Sequence, residues 1–145
     1  MPRLDAERIE LFQSLCQTTT AITRQIDSDL LAEFDVPLAW FDVMSVLRRA
    51  GGALRVSELC ALLGEIPSSL SRRLDRMEHE GYVEREATPT ASDRRAVTVH
   101  LTREGRLFWR DANVIYRRAV QRHFAAVVTD SDINALQRLL SKLAR

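Results

Sequence analysis

Residues 54–81 decide the fold, and they read LRVSELCALLGEIPSSLSRRLDRMEHEG. Apolar residues recur here at spacings of three and four in two short runs, which predicts two helices. Ser57 is the expected N-cap of the first helix, and Gly64 is its expected stop. The second helix is expected to run from about residue 66 to residue 80. Two short helices joined by a turn that contains Gly predict a helix-turn-helix.

The pattern changes after residue 81. Residues 82–86 and 96–101 are rich in β-branched side chains and partly alternate, which predicts two strands. The intervening residues 87–95 read ATPTASDRR, a polar stretch with Pro that is typical of a loop. A hairpin of two strands is too small to be stable alone. We therefore expect it to pack against the preceding helices as a wing.

Long helices are predicted on both sides of this module. Residues 5–34 carry an apolar stripe without internal Gly or Pro, and a further helix is expected between Pro37 and the Gly51-Gly52 pair. Thr102 is the expected cap of a long helix that extends to about Val127. Thr129 and Asp132 have the spacing of a capping box, which begins a last helix.

These flanking helices carry more apolar surface than a module of some fifty residues can cover. A second copy of the chain could bury the excess, which predicts a two-fold homodimer. The expected architecture is mainly α (α+β): a winged helix-turn-helix lobe at residues 37–102 with a two-stranded wing. Dimerisation helices at residues 1–36 and 103–145 flank it within one domain.

Composition narrows the function classes. The chain has 145 residues, 46% hydrophobic content and a net charge of +1, so nucleic-acid binding requires positive charge gathered on one surface. No apolar run approaches the roughly 20 residues that span a bilayer, and the acidic N-terminus is unlike a signal peptide. We therefore expect a cytoplasmic protein. No Gly-rich phosphate loop, G-x-S-x-G or H-E-x-x-H motif occurs, which favours a protein that is not an enzyme and has no cofactor.

Three stretches in this order resemble the MarR family of transcriptional regulators: VSEL at residues 56–59, LSRRLDRMEHEGYVER at residues 70–85 and SDRRAVTVHLTREG at residues 92–105. The last stretch is similar to the family's wing signature, Asp-x-Arg followed by Leu-Thr and Gly. The resemblance implies a homodimer that binds a pseudo-palindromic operator in double-stranded DNA. It also implies a repressor modulated by a small, aromatic or phenolic ligand.

The recognition helix departs from the family pattern at Glu65 and Pro67, where a small polar or basic residue is usual. An acid there would repel phosphate. We therefore expect Glu65 to face away from DNA or to narrow the choice of sequence.

Donors on the second helix and at the tip of the wing are the candidate DNA contacts. Arg72 could make a bidentate contact to guanine, Arg73 and Arg76 could clamp phosphates, and Arg94 could enter an AT-rich minor groove. Asp93 and Arg95 are similar to a family pair in which the acid braces the arginine. The full set is Ser68, Ser69, Ser71, Arg72, Arg73, Arg76, Asp93, Arg94 and Arg95. The alternative is a solvated helix face whose arginines pair with Asp75, Glu78 and Glu80, beside an ordinary polar loop.

Three further possibilities stay open. Core packing is the alternative for the residues that could line an effector pocket, Ile22, Trp40, Met44 and Phe108. Cys16 could sense oxidants, although its sequence neighbours include no cation to activate the thiol. A winged helix could also bind protein, but that role gives no reason for basic donors on both the helix and the wing. The histidines are scattered, so no metal site is expected.

Overall fold

The computed structural model describes residues 5–144, which divide into two compact units. We call Leu30–Ile115 the winged lobe, and residues 5–29 with 116–144 the helical unit. The elements are α1 (Ala6–Phe34), α2 (Leu38–Arg49), β1 (Ala53–Arg55), α3 (Val56–Leu63), α4 (Pro67–His79), β2 (Val83–Ala87), β3 (Val97–Leu101), α5 (Arg103–His123), a 3₁₀ turn (Ala125–Val127) and α6 (Asp130–Leu143). The expected winged helix-turn-helix is confirmed.

The wing belongs to a sheet of three antiparallel strands in the order β1-β3-β2. Val83 on β2 lies opposite Leu101 on β3, and Ala53 on β1 lies opposite His100. The sequence predicted the β2–β3 hairpin of the wing but not β1, which adds a third strand to the sheet. β1 has three residues, too few to show the alternation by which a strand is recognised.

The core of the winged lobe lies between the helix-turn-helix and the sheet. Leu70, Leu74 and Met77 on α4 are fully buried, as are Val83 and Val99 on the strands. Burial of a side chain of this size contributes about 1.5–3 kcal/mol. One stripe of α4 is therefore fixed against the core, and the opposite polar face is turned outward.

The first helix of the motif begins differently from the prediction. Ser57 as N-cap is wrong: α3 starts at Val56, and Arg55 occupies the N-cap with φ −64° and ψ 147°. The Glu58 carboxylate accepts a hydrogen bond from the backbone N–H of Arg55 at 3.2 Å. Because β1 runs directly into α3, the last strand residue already has the extended conformation that an N-cap requires. Gly64 ends the helix as predicted, in the left-handed conformation with φ 65°.

Thr102 caps α5, as predicted. Its hydroxyl accepts from the backbone N–H of Gly105 at 3.0 Å and donates to the carbonyl of Gly81 at 2.6 Å. A Cβ at Gly105 would overlap the carbonyl oxygen of Tyr82, so this close approach of α5 to the chain before β2 requires glycine.

The predicted extension of α5 to Val127 is wrong. The helix ends at His123, Phe124 adopts φ −131° and ψ −64°, and a 3₁₀ turn follows. The apolar spacing continues through both segments, so it could not reveal the break. The capping box at the start of α6 is confirmed, because Thr129 and Asp132 exchange hydrogen bonds with each other's backbone N–H groups.

The helical unit leaves most of its apolar side chains in solvent. Within residues 5–29 and 116–144, the buried hydrophobic residues are Ile26 and Ala119. Its exposed large hydrophobic residues are Ile9, Leu11, Phe12, Leu15, Phe124, Val127, Ile133, Leu139, Leu140 and Leu143. No helix within residues 5–144 combines the length and apolarity needed to cross a membrane.

Candidate nucleic-acid interface

The polar face of α4 is the centre of the candidate interface. Pro67 occupies the first helical turn after Ile66, whose extended backbone provides the N-cap without a side-chain hydrogen bond. The core stripe directs the remaining polar side chains of the helix outward, and the exposed candidates are Ser68, Ser69, Ser71, Arg72 and Arg76. Hydroxyls in the first turns of a recognition helix are in position to reach base edges.

Arg72 and Arg76 keep their guanidinium groups available for a ligand. The Arg72 Nε donates to the carbonyl of Ser68 at 3.4 Å, and this bond does not use the terminal nitrogens of the guanidinium. Within residues 5–144, neither Arg72 nor Arg76 lies within ion-pair distance of a carboxylate. The alternative of a helix face neutralised by its own acids therefore has no support at these two residues.

Arg73 has a different environment from its neighbour. Its Nη1 donates to Glu65 Oε1 at 2.9 Å, and its Nη2 lies 2.9 Å from Glu65 Oε2. The Arg73 and Glu65 side chains are only 14% and 27% exposed. Glu65 is thus turned towards the protein, and Arg73 already has a carboxylate partner, through one hydrogen bond to Oε1 and a close ionic contact with Oε2.

Arg85, which the sequence did not single out, connects the wing to α4. Its Nε donates to Glu78 Oε2 at 3.2 Å, its backbone N–H donates to the same oxygen at 2.9 Å, and its Nη2 pairs with Asp75. Burial alone would lower the pKa of Arg85, but the hydrogen bonds to Asp75 and Glu78 outweigh it and raise the pKa. Two of the acids expected to neutralise the α4 arginines therefore pair with the strand instead.

A short hydrogen-bonded turn closes the tip of the wing. The backbone N–H of Thr90 donates to the carbonyl of Asp93 at 2.8 Å, and the backbone N–H of Asp93 donates to Thr90 Oγ1 at 2.9 Å. The Asp93 carboxylate accepts from the backbone N–H of Arg95 at 3.0 Å, so the acid shapes the loop through the main chain. Arg94 and Arg95 are both exposed beside it.

A cavity of about 500 Å³, partly open to solvent, lies between α3, α4 and the wing. Val56, Cys60 and Leu74 contribute apolar wall, and Arg85 is among its polar groups. The remaining lining residues are Arg55, Ser57, Pro67, Ser71, Asp93, Arg95, Ala96 and Val97. Ser71, Asp93 and Arg95, which are candidate DNA contacts, thus also border this cavity.

The residues suggested for an effector pocket do not line this cavity. Met44 is fully buried in the core, and Trp40 and Phe108 both pack on Tyr82, with ring centroids 6.2 and 4.7 Å from it. Burial, with smaller contributions from Glu80 and Glu104, raises the pKa of Tyr82. Ile22 is half-buried in the helical unit. Core packing therefore describes Trp40, Met44 and Phe108 in this structure.

The cysteines and the possible metal ligands are the remaining candidates from the sequence. Cys16 is exposed on α1, and Cys60 is buried on α3. Across residues 5–144, no cluster of three or more His, Cys, Asp or Glu residues is arranged to hold a metal ion.

The fold and this basic surface define a winged helix-turn-helix protein. A family model described as MarR family matches residues 34–96. PecS, an HTH-type transcriptional regulator from Dickeya dadantii, is 33% identical over 106 residues, which cover 72% of this chain and 62% of PecS. The aligned region is thus less than two thirds of PecS. The multiple antibiotic resistance protein MarR from Escherichia coli is 28% identical over 116 residues, which cover 80% of this chain and 78% of MarR.

Solved structures agree with the sequence matches. A MarR family regulator from Streptomyces coelicolor in complex with DNA has a TM-score of 0.84 and 25% identity, and the alignment covers 99% of this chain and 90% of that one. A mutant MarR from E. coli complexed with operator DNA has a TM-score of 0.80 and 26% identity, with 98% and 100% coverage. The chain belongs to the MarR family.

Proposed function

We propose that this chain is a transcriptional regulator that binds a specific sequence of double-stranded DNA as a homodimer and acts as a repressor. The observation that carries the proposal is the outward face of α4, where Arg72 and Arg76 lie beside three exposed serines. Guanidinium groups without acid partners and short hydroxyls are suited to phosphates and base edges. The similarity to regulators solved in complex with DNA supports the same ligand here.

The second copy is proposed from the exposed apolar residues of the helical unit. Leu11, Phe12, Leu140 and Leu143 are each more than half exposed, a costly arrangement for an isolated chain. A two-fold dimer would bury these residues and present two α4 helices and two wing tips to a pseudo-palindromic operator. The dimer would contain two copies of each basic group. A chain with a net charge of +1 can therefore still bind DNA with a strong dependence on salt.

A salt-titrated binding assay tests the DNA surface. The probe is a duplex selected from a random pool by the unaltered protein, compared with a scrambled duplex of the same composition. Arg72→Ala and Arg94→Ala should both weaken binding to the selected duplex, Arg72→Ala by about 1–3 kcal/mol if it reads a base. Arg110→Ala is the control for the loss of charge, because Arg110 is an exposed arginine on α5 whose ionic partner is Asp111. If neither test variant changes the affinity for the selected duplex, this surface is not the DNA contact surface.

A small anionic aromatic ligand is the proposed effector, and the 500 Å³ cavity is its proposed site. The cavity has apolar walls, and it contains Arg85, whose guanidinium also holds α4 through Asp75 and Glu78. A carboxylate that competes for Arg85 would loosen α4 from the wing and favour the state that does not bind DNA. Ligand binding in the cavity would therefore be coupled to the position of α4 through Arg85.

Benzoate is a simple probe of this site. It should raise the melting temperature of the protein and weaken its binding to the selected duplex. Ser57→Trp places a large ring at the exposed edge of the cavity and should abolish both effects, whereas Ser28→Trp on α1 should not. Peroxide treatment of the protein and of Cys16→Ser tests the alternative of redox sensing. Release of DNA by peroxide but not by benzoate would favour that alternative.

A further inference from the structure

The Glu65–Arg73 ion pair joins two parts of the helix-turn-helix. Glu65 lies in the turn after Gly64, and Arg73 lies in the second turn of α4. Each terminal nitrogen of the guanidinium meets a different carboxylate oxygen, both at 2.9 Å. We call this two-point contact the fork. Only the contact to Oε1 has hydrogen-bond geometry, and the buried Oε2 accepts no hydrogen bond within residues 5–144. Two contacts to one carboxylate fix orientation as well as distance, which a single contact does not.

A second carboxylate, Asp42 on α2, lies in the electrostatic field of this pair. Burial raises the pKa of Asp42, while the positive charge of Arg73 opposes that rise and the negative charge of Glu65 adds to it. Arg73 is therefore the cation that offsets acids from two other elements, α2 and the turn. Arg49 also faces Asp42 and opposes the rise to a smaller extent.

This environment makes Arg73 unsuited to a phosphate contact. If its side chain swung out to DNA, Glu65 would remain partly buried without its cation. Breaking a partly buried ion pair in this way is costly, whereas the exposed Arg72 and Arg76 can meet phosphates without losing a carboxylate. The neighbouring arginines thus differ in role because the helix turns their side chains in different directions.

We propose that Arg73 is a positioning residue: through its ion pair with Glu65, it fixes the start of α4 against the turn that precedes it and so determines how the serines and Arg72 meet the bases. This proposal rests on the proposed DNA-binding function. It also gives Glu65 a role, since an acid that would repel phosphate is turned inward to hold the helix. The sequence interpretation of Arg73 as a phosphate clamp is replaced by this proposal.

Two conservative variants separate positioning from phosphate contact. Arg73→Lys keeps the charge but loses the fork. A phosphate clamp tolerates lysine, whereas a positioning fork does not. Glu65→Gln breaks the same pair from the acid side. If Arg73 clamped a phosphate, Glu65→Gln would release Arg73 from its acid partner. The affinity for DNA would then rise, and its dependence on salt would become steeper. Glu84→Gln on β2 is the matched control, because it removes the same charge from an exposed site in the lobe.

The measurement is the affinity for the selected and the scrambled duplex across a range of salt concentrations. We expect Arg73→Lys and Glu65→Gln each to lower the ratio of selected to scrambled affinity by about tenfold, comparable to one mismatched base pair. For Arg73→Lys, the slope of log affinity against log salt should equal that of the unaltered protein. For Glu65→Gln, the slope should equal that of the Glu84→Gln control. Arg76→Ala should reduce that slope by about one for each phosphate that the arginine neutralises in the unaltered protein.

Opposite results overturn the proposal. Tight, fully selective binding by Arg73→Lys, or a higher affinity and steeper slope for Glu65→Gln than for Glu84→Gln, would identify Arg73 as a phosphate contact. Thermal unfolding of both single variants and the double variant tests the fork without DNA, and additive effects would show that the pair is not coupled. If the unaltered protein selects no duplex, the proposed function itself is wrong. That result is distinct from the outcomes that overturn only the role of Arg73.

Discussion

The winged lobe and the helical unit treat their apolar residues in opposite ways. In the lobe, Leu47, Leu74 and Val83 have no exposed surface. In the helical unit, Phe12 and Leu143 are 65% and 64% exposed. The lobe therefore contains the partners for its own core, whereas these large apolar side chains of the helical unit are exposed. The buried residues of the lobe thus stabilise the fold, and the exposed residues of the helical unit are the basis of the proposed dimer.

The largest expected effect is on assembly. Leu140→Glu puts a charge on the exposed apolar face of α6 and should convert the proposed dimer to monomer, because burying an unpaired carboxylate is prohibitive. Loss of the second DNA-binding lobe should weaken binding to the selected duplex by about 100-fold or more. Sedimentation equilibrium and the binding assay measure the two effects.

Leu62→Glu is the control for that variant. Leu62 on α3 is 63% exposed, against 61% for Leu140, but it belongs to the winged lobe. It should leave the oligomeric state unchanged. If both variants dissociate the protein equally, or if neither does, the helical unit is not the dimer interface.

The next effect is on the lobe itself. Leu74→Ala removes a fully buried side chain between α4 and the sheet and should lower the free energy of unfolding by about 2–5 kcal/mol. Leu11→Ala removes the same atoms from an exposed site in the helical unit and should not reduce the stability of the lobe. Denaturant unfolding followed by Trp40 and Trp109 fluorescence, both within the lobe, measures the difference. Equal losses would contradict the contrast in burial.

The two threonine caps allow a smaller comparison. Thr102 in the lobe bonds both Gly105 and Gly81 and is half-buried, whereas Thr129 in the helical unit caps α6 in solvent. Thr102→Val should cost about 1–3 kcal/mol, because it leaves buried backbone groups without partners. Thr129→Val should cost about 1 kcal/mol or less. Thermal unfolding of both variants gives the order, and a larger loss at Thr129 would reverse the comparison.

The smallest effect concerns Asp42. Its pKa is higher in the folded chain than its ordinary value of 3.8, so the folded state binds the proton more tightly than the unfolded state. The stability that Asp42 contributes is therefore fully present below pH 3.8 and is lost as the pH rises through the raised pKa. Asp42→Asn should melt slightly higher than the unaltered protein at about pH 7, and the difference should shrink as the pH falls towards about 4. A lower melting temperature at neutral pH would mean that attraction to Arg73 outweighs burial.

Much of the fold could be predicted from the sequence because its signals are local. The apolar spacing of α4, Gly64 as a helix stop and the Thr129 capping box each depend on a few neighbouring residues. The errors occurred where local signals were missing or misleading. β1 is too short to alternate, Ser57 has the right residue type but follows the true N-cap, and the apolar stripe of α5 continues through the turn at Phe124.

The sequence by itself determined the helix-turn-helix, the wing hairpin, the family and the residue types available for DNA, because periodicity, caps and motifs are properties of neighbouring positions. Only the tertiary structure decided which arginines are free. Arg72 and Arg73 are adjacent and chemically identical, yet one is exposed and the other is paired with Glu65. Pairing depends on distance and direction in space: Arg85 meets Asp75 and Glu78 only because a strand packs beside α4.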